Sequence, residues 1–276
     1  MTARTMDVVA GIDALRPDLG RVFFAVGVFD GLHRGHLYLL EHLLRAAAVH
    51  GARAGVITFD AHPDEILVGS APPLLVDPAE RLVRLETAGV AVTVVQTFDE
   101  ALRNTTYGDF VRRIADRVEL AGFLMTPDAA FGHRRAGTPS ALADLGREMG
   151  FHVDVVAVLG GDAGPIRSSE IRAAISAGEI DRAAELLGRD VALVGRAAEG
   201  NDAKATALRF DLPMAMPPDG AYRVLVEVAG EDYPLRRRLI IEGAQARLEP
   251  AVGDHPTARL RVRLPNSHRP ATIRES

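Results

Sequence analysis

The sequence predicts an α/β fold, a parallel sheet with helices on both faces, followed by a small all-β region. Three observations carry this. The run Val22 to Val28 is continuously apolar, as a strand buried on both faces must be. Similar runs then alternate with helix-like stretches as far as Gly188. Beyond that glycine the texture changes to short strands separated by turn signals, with no convincing helix. The chain has 276 residues, 47% hydrophobic and 25% charged. That is the profile of a folded protein, long enough for one large domain or two modest ones.

The elements follow in order. Leu37–Val49 reads as a helix with Leu39, Leu40, Leu43, Leu44 and Ala47 on one face. Ala54–Phe59 is a second strand. Pro78–Ala88 is a helix with Asp77 as N-cap, Pro78 in its first turn and Gly89 as its stop. Val90–Val95 is a third strand, Asp109–Val118 a helix, Gly122–Met125 a short strand, Ser140–Met149 a helix and Val153–Leu159 a fifth strand. Two short helices, Ser169–Ala177 and Ile180–Leu187, are separated by Gly178. In the last region Val191–Arg196, Tyr222–Val228, Leu235–Ile241 and Arg259–Leu264 read as strands. Pro217-Pro218-Asp219-Gly220 and Gly253-Asp254 are turns, and the tail from Pro265 is expected to fray. The expected division is residues 1–188 and residues 189–276.

Composition excludes several classes. Cysteine is absent, which removes disulfides, thiolate metal sites and a cysteine nucleophile. A net charge of −5 argues against nucleic acid as the main partner, although a local pocket can still bind small anions. No segment approaches the 18 or so uninterrupted apolar residues of a membrane span. The first residues lack a basic-then-apolar leader pattern. The expected location is the cytoplasm, with no membrane partner.

The strongest chemical signal is Gly27-Val28-Phe29-Asp30-Gly31-Leu32-His33-Arg34-Gly35-His36, which ends the first strand and opens the first helix. Gly27, Gly31 and Gly35 allow sharp turns and close approach to a ligand. The helix start offers unpaired N–H groups and a positive dipole end. His33 and His36, three apart, share a helical face. Two imidazoles aimed with a helix start at one point suit a polyphosphate. They could also be two ligands of a metal, but no third ligand lies nearby in sequence, so no protein metal site is expected.

This segment resembles the HxGH motif of the nucleotidyltransferase superfamily. In its FDGxHxGH form it looks like the adenylyltransferase domain of the bacterial bifunctional riboflavin kinase/FAD synthetase family. Three further stretches resemble that family, in the right order over about 190 residues. Thr58-Phe59-Asp60-Ala61-His62-Pro63 is similar to its TFDPHP stretch, with Ala61 in place of proline. Phe131-Gly132-His133-Arg134-Arg135-Ala136-Gly137 is similar to its FGxxRxG loop. Ile166-Arg167-Ser168-Ser169-Glu170-Ile171-Arg172 is similar to ISSTxIR at the start of a late helix, with Arg167 for the first serine and Ser169 for the threonine. Taken alone, the last stretch could be an ordinary serine-capped helix start.

Two departures matter. The family usually carries a Gly-Glu-Asp/Asn-Phe run before FGxxRxG, which helps to hold the flavin. Here it reads Thr126-Pro127-Asp128-Ala129-Ala130, keeping the acid and losing the ring. The C-terminal region resembles the family's flavokinase barrel at Gly195-Arg196 and at Pro217–Tyr222, which is similar to an LPxDGVY hairpin. Between them Thr206-Ala207-Leu208-Arg209-Phe210 stands where a PTAN motif is expected, and no NPTF-like stretch or closing helix follows. Arg236-Arg237-Arg238 could bind phosphate, but alternation on an edge strand would put most of it in solvent.

The resemblance implies a Rossmann-like nucleotidyltransferase domain with a parallel sheet, followed by a shrunken flavokinase-like barrel without kinase activity. It implies transfer of AMP from ATP to FMN, giving FAD and pyrophosphate, with Mg2+ accompanying ATP. His33, His36, Ser168, Ser169 and Arg172 would do the chemistry. Gly27, Phe29, Asp30 and Gly35 would line the ATP site, and His62, Pro63, Asp128 and Phe131 the flavin side. A different phosphorylated acceptor, or a non-catalytic nucleotide- or flavin-binding protein, is the alternative at this point.

Overall fold

The computed structural model describes residues 5–161, 164–198, 204–229, 231–243, 245–252 and 258–265. The chain forms two compact units, Met1–Pro72 with Pro78–Pro165, and Pro73–Asp77 with Ile166–Ser276.

The first unit runs β1 (Asp7–Ala10), β2 (Arg21–Val26), α1 (Arg34–Val49), β3 (Arg53–Phe59), α2 (Asp64–Leu67), α3 (Pro78–Thr87), β4 (Val92–Gln96), α4 (Glu100–Asn104), α5 (Tyr107–Ala115), β5 (Glu119–Met125), α6 (Pro139–Met149), β6 (His152–Val155) and a small hairpin of β7 (Gly160–Gly161) and β8 (Gly164–Pro165). A six-stranded sheet has the order β1-β4-β3-β2-β5-β6, and every pairing in it is parallel. The period of two in β2 explains its unbroken apolar run. Phe24 packs with Ile57, Val94, Phe110 and Phe123 on one face, while Phe23 and Ala25 pack with Leu40, Leu43, Val56 and Leu85 on the other. From β2 the chain builds outward through β3 and β4, then returns to build the other way through β5 and β6. The strand order therefore reverses beside β2. In open α/β sheets the crevice at the carboxyl end of such a point is where ligands bind.

Local chemistry sets the ends of the elements. α5 and α6 begin two and one residues earlier than periodicity alone suggests, because Thr106 and Thr138 accept hydrogen bonds from the N–H groups of Asp109 (3.1 Å) and Ala141 (3.3 Å). Gly150 closes α6 in a left-handed conformation. The expected strand Val153–Leu159 stops at Val155, where its partner β5 ends at Met125. The edge strand β1 was not anticipated.

The second unit contains α7 (Ser168–Ser176), α8 (Ile180–Leu187) and six strands: β9 (Val191–Ala198), β10 (Thr206–Arg209), β11 (Gly220–Val228), β12 (Leu235–Glu242), β13 (Gln245–Glu249) and β14 (Arg259–Leu264). These close into an antiparallel barrel in the order β10-β13-β12-β11-β14-β9. Alternate residues fill it: Val224, Val226 and Val228; Leu239 and Ile241; Leu260, Val262 and Leu264 are buried, while Arg259, Arg261 and Arg263 are not. Closure corrects one expectation. Arg236-Arg237-Arg238 lies on β12, an inner strand of the closed barrel: all three residues pair with β11, and Arg238 pairs with β13 as well. Alternation still leaves Arg236 and Arg238 exposed. The expected turn at Gly253-Asp254 and the tail beyond Pro265 lie outside the described residues.

Candidate active site

The catalytic candidates of the first unit follow β2, at the switch point. Gly27 N–H continues the parallel ladder to the Ile57 carbonyl at 3.0 Å. The chain then turns through Phe29 (φ 52°), Gly31 (φ 82°) and Leu32 (φ 37°). Of the three glycines expected to supply the turn, only Gly31 has a positive φ. Two bulky residues take the strained left-handed conformation instead. Phe29 and Leu32 are each 1% exposed, and their burial in the core offsets the strain.

His33 ends this turn as the N-cap of α1. Its Nδ1 accepts a hydrogen bond from the His36 N–H at 3.3 Å, so in the neutral ring the proton sits on Nε2. The two imidazoles stack, with centroids 3.7 Å apart and planes 18° from parallel. Phe29 supports His36 from 5.2 Å. His33 and Asp30 are buried, and Gly35 lies in the first turn of α1. Two aligned rings and the positive end of a sixteen-residue helix thus share one place.

The second stretch follows β3. Asp60 organises the turn, accepting from Ala61 N–H (2.7 Å) and from the Thr97 hydroxyl (2.6 Å). His62 accepts from Asp64 N–H at 3.2 Å, and Pro63 precedes α2. The residue that sequence reasoning missed is Arg81 in α3. It is buried, and it donates to the Val28 carbonyl at 3.0 Å and to the Phe59 carbonyl at 2.5 Å. The Thr58 hydroxyl also donates to Val28, at 2.9 Å. One guanidinium therefore ties the end of β2 to the end of β3, joining the two motif-bearing turns. The signal was an arginine four residues before Leu85 on the buried face of an amphipathic helix.

The third stretch follows β5. The Thr126 hydroxyl donates to Asp128 at 2.8 Å, and Arg135 donates to the Asp128 carbonyl at 3.1 Å. Phe131 pairs its backbone with Gly137 and lays its ring against Phe110 (5.4 Å) and Phe123 (5.7 Å), so it anchors the loop in the core. The glycine spacing has a steric cause. A Cβ on Gly132 would lie 2.5 Å from the Tyr107 nitrogen, and one on Gly137 would lie 2.6 Å from the Tyr107 Cβ.

The structure thus sets the segments around His33/His36, His62/Pro63 and Asp128/Phe131 on the carboxyl ends of three neighbouring strands, β2, β3 and β5. The remaining candidates belong to the second unit. Ser168, Ser169 and Arg172 occupy the first turns of α7, whose N-cap is Arg167. The serines are thus inside the helix and are not its cap. Arg172 Nε donates to the Pro73 carbonyl at 2.8 Å. Among the described residues no group of three or more His, Asp or Glu side chains could hold a metal, and no helix is long and apolar enough to cross a membrane.

The doubly wound sheet carries a histidine-capped helix start in the crevice at its switch point, and its family and relatives make the chain an enzyme of the nucleotidyltransferase class. The family model for FAD synthetase matches residues 16–170, and the chain belongs to that family. Its relatives include the bifunctional riboflavin kinase/FMN adenylyltransferases of Pseudomonas fluorescens (29% identical, covering 83% of this chain and 76% of that protein) and Listeria monocytogenes (30%, covering 78% and 71%). The Haemophilus influenzae protein of the same description is 28% identical, over 71% of this chain and 64% of its own length. The crystal structure of a macrolide-efflux protein from Streptococcus pneumoniae has a TM-score of 0.78 at 23% identity, covering 98% of this chain and 93% of that one. At that identity the likeness shows the fold alone.

Proposed function

We propose that the chain transfers AMP from ATP to FMN, releasing pyrophosphate and forming FAD, and that it does not phosphorylate riboflavin. The observation that carries the first half is the stacked His33–His36 pair at the start of α1, on the switch point of a family member's sheet. A phosphate monoester has its second pKa at about 6, so the attacking oxygen is already ionised near neutral pH. The obstacle is the approach of two polyanions. In this reading the α1 N–H groups and the two imidazoles hold the triphosphate, and they meet the charge that grows on the α-phosphoryl oxygens. Ser168, Ser169 and Arg172 at the start of α7 bind the outer phosphates. Gly27, Phe29, Asp30 and Gly35 line the nucleotide side; His62, Pro63, Asp128 and Phe131 shape the flavin side. Mg2+ enters as part of the MgATP substrate, held by phosphate oxygens and water. Functionally, residues 1–188 form the adenylyltransferase and 189–276 the barrel. The protein works in the cytoplasm, where its nucleotide substrate is made.

Loss of kinase activity is supported by what fills the barrel. Among the described residues, the buried polar or charged side chains are Asp30, His33, Thr58, Arg81 and Thr93, and none of these belongs to the second unit. Thr206, in the stretch that stands for PTAN, spends its hydroxyl oxygen on the Val252 N–H at 3.0 Å. Incubation with MgATP labelled at the α-phosphate tests the transfer: labelled FAD supports it, and unlabelled flavin refutes it. A second reading, a different phosphorylated acceptor, is favoured by one observation. Asp128 is exposed and is followed by two alanines where the family has a ring. Screening other phosphate monoesters for pyrophosphate release separates the two.

A further inference from the structure

The segment Pro73–Asp77 lies in sequence between α2 and α3, yet it is built into the second unit. Its Leu74 forms a parallel bridge with Met214: Leu74 N–H donates to Pro213 at 2.8 Å, and Ala215 N–H donates to Leu74 at 2.9 Å. Leu75 and Val76 are buried. Asp77 is ion-paired with Arg259 on β14. At the other end, two consecutive prolines stiffen the strap, and the Pro73 carbonyl receives Arg172 Nε. A continuous chain of contacts therefore runs from the barrel wall, through a short rigid strap, to the arginine of α7.

We propose that the barrel serves adenylyl transfer, with Arg259 and Asp77 as positioning residues that fix the strap and so orient the Arg172 guanidinium for the nucleotide's phosphates. This rests on the role of Arg172 under the proposed function. A guanidinium recognises phosphate through a planar fork, so fixing its plane through Nε determines whether the fork is presented. The device gives the barrel a use that needs no polar interior, in keeping with its apolar filling.

The test uses the full chain. Asp77→Asn and Arg259→Gln each break a partly exposed pair (side chains 21% and 41% exposed) without leaving a buried charge. Each is expected to raise KM for ATP by about threefold to fivefold, as for a surface ion pair, with kcat and KM for FMN unchanged. The charge swap Asp77→Arg with Arg259→Asp is expected to recover most of the loss, which also guards against misfolding. In an Arg172→Ala background the same substitutions are expected to change nothing further. An undiminished effect in that background, an effect on FMN instead of ATP, or no effect on ATP overturns the proposal. Calorimetric titration with MgATP separates the two readings. A chain that makes no FAD but binds ATP more weakly after Asp77→Asn keeps this inference and loses the proposed acceptor. FAD formation with unchanged ATP KM does the reverse.

Discussion

Replacing Arg81 with methionine removes one guanidinium and keeps most of the apolar stem. Two charge-assisted hydrogen bonds disappear, to Val28 and to Phe59. Bonds of this kind contribute about 1.5–3 kcal/mol each. Val28 keeps its donor from Thr58, so its share of the loss is cushioned, while Phe59 loses a bond of 2.5 Å. Relief from burying a charge offsets part of the sum. The net loss is about 2–3 kcal/mol, or a fall in melting temperature of about 5–10 °C for a unit of this size. The Gly27–Ile57 bond still holds the strands together, so the variant folds. Its two motif-bearing turns are no longer tied, and kcat/KM falls about tenfold at temperatures below its melting. Thermal unfolding by circular dichroism and steady-state kinetics measure both. Lysine, reaching fewer acceptors, falls between. A methionine variant with wild-type melting and wild-type kcat/KM would refute the reasoning.

His36→Ala removes one of two stacked rings, the half-buried one in the first turn of α1, and is expected to lower kcat by about 10²–10³-fold while the melting temperature stays near wild type; unchanged turnover excludes the imidazole from the chemistry. Gly132→Ala puts a methyl 2.5 Å from the Tyr107 nitrogen at a φ of +75°, and is expected to cost about 2–3 kcal/mol by urea unfolding and to weaken acceptor binding. Asp13 accepts a hydrogen bond from Arg113, which holds its carboxyl below the ordinary value of 3.8. Its stabilisation is therefore complete above that value and fades as pH falls below it. The stability difference between wild type and Asp13→Asn is expected to be flat from pH 5 to 8 and to close in stronger acid.

The parallel sheet was legible because both faces of its strands are buried, which leaves unbroken apolar runs such as Val22–Val26. The histidine pair was legible because His33 and His36, three apart, follow a glycine-rich turn that opens a helix at the end of such a run. Contacts between distant stretches left no local trace. β1 is four residues long and gains its place by pairing with β4, distant in sequence. β10 and β13 carry too few apolar residues to stand out, and owe their existence to barrel closure. Arg81 looks in sequence like any helix arginine, and its meaning comes from two carbonyls that lie 53 and 22 residues away. The strap at Pro73–Asp77 left no trace either, beyond Asp77 as a helix cap, because its partners Met214 and Arg259 are distant in sequence.

The most direct test of the central claim is chromatography of the products formed by the purified full chain with MgATP and either FMN or riboflavin. The account predicts FAD and pyrophosphate from FMN, and neither FMN nor FAD from riboflavin. FMN formed from riboflavin would contradict the reading of the barrel, and failure to form FAD from FMN would contradict the assignment of the acceptor.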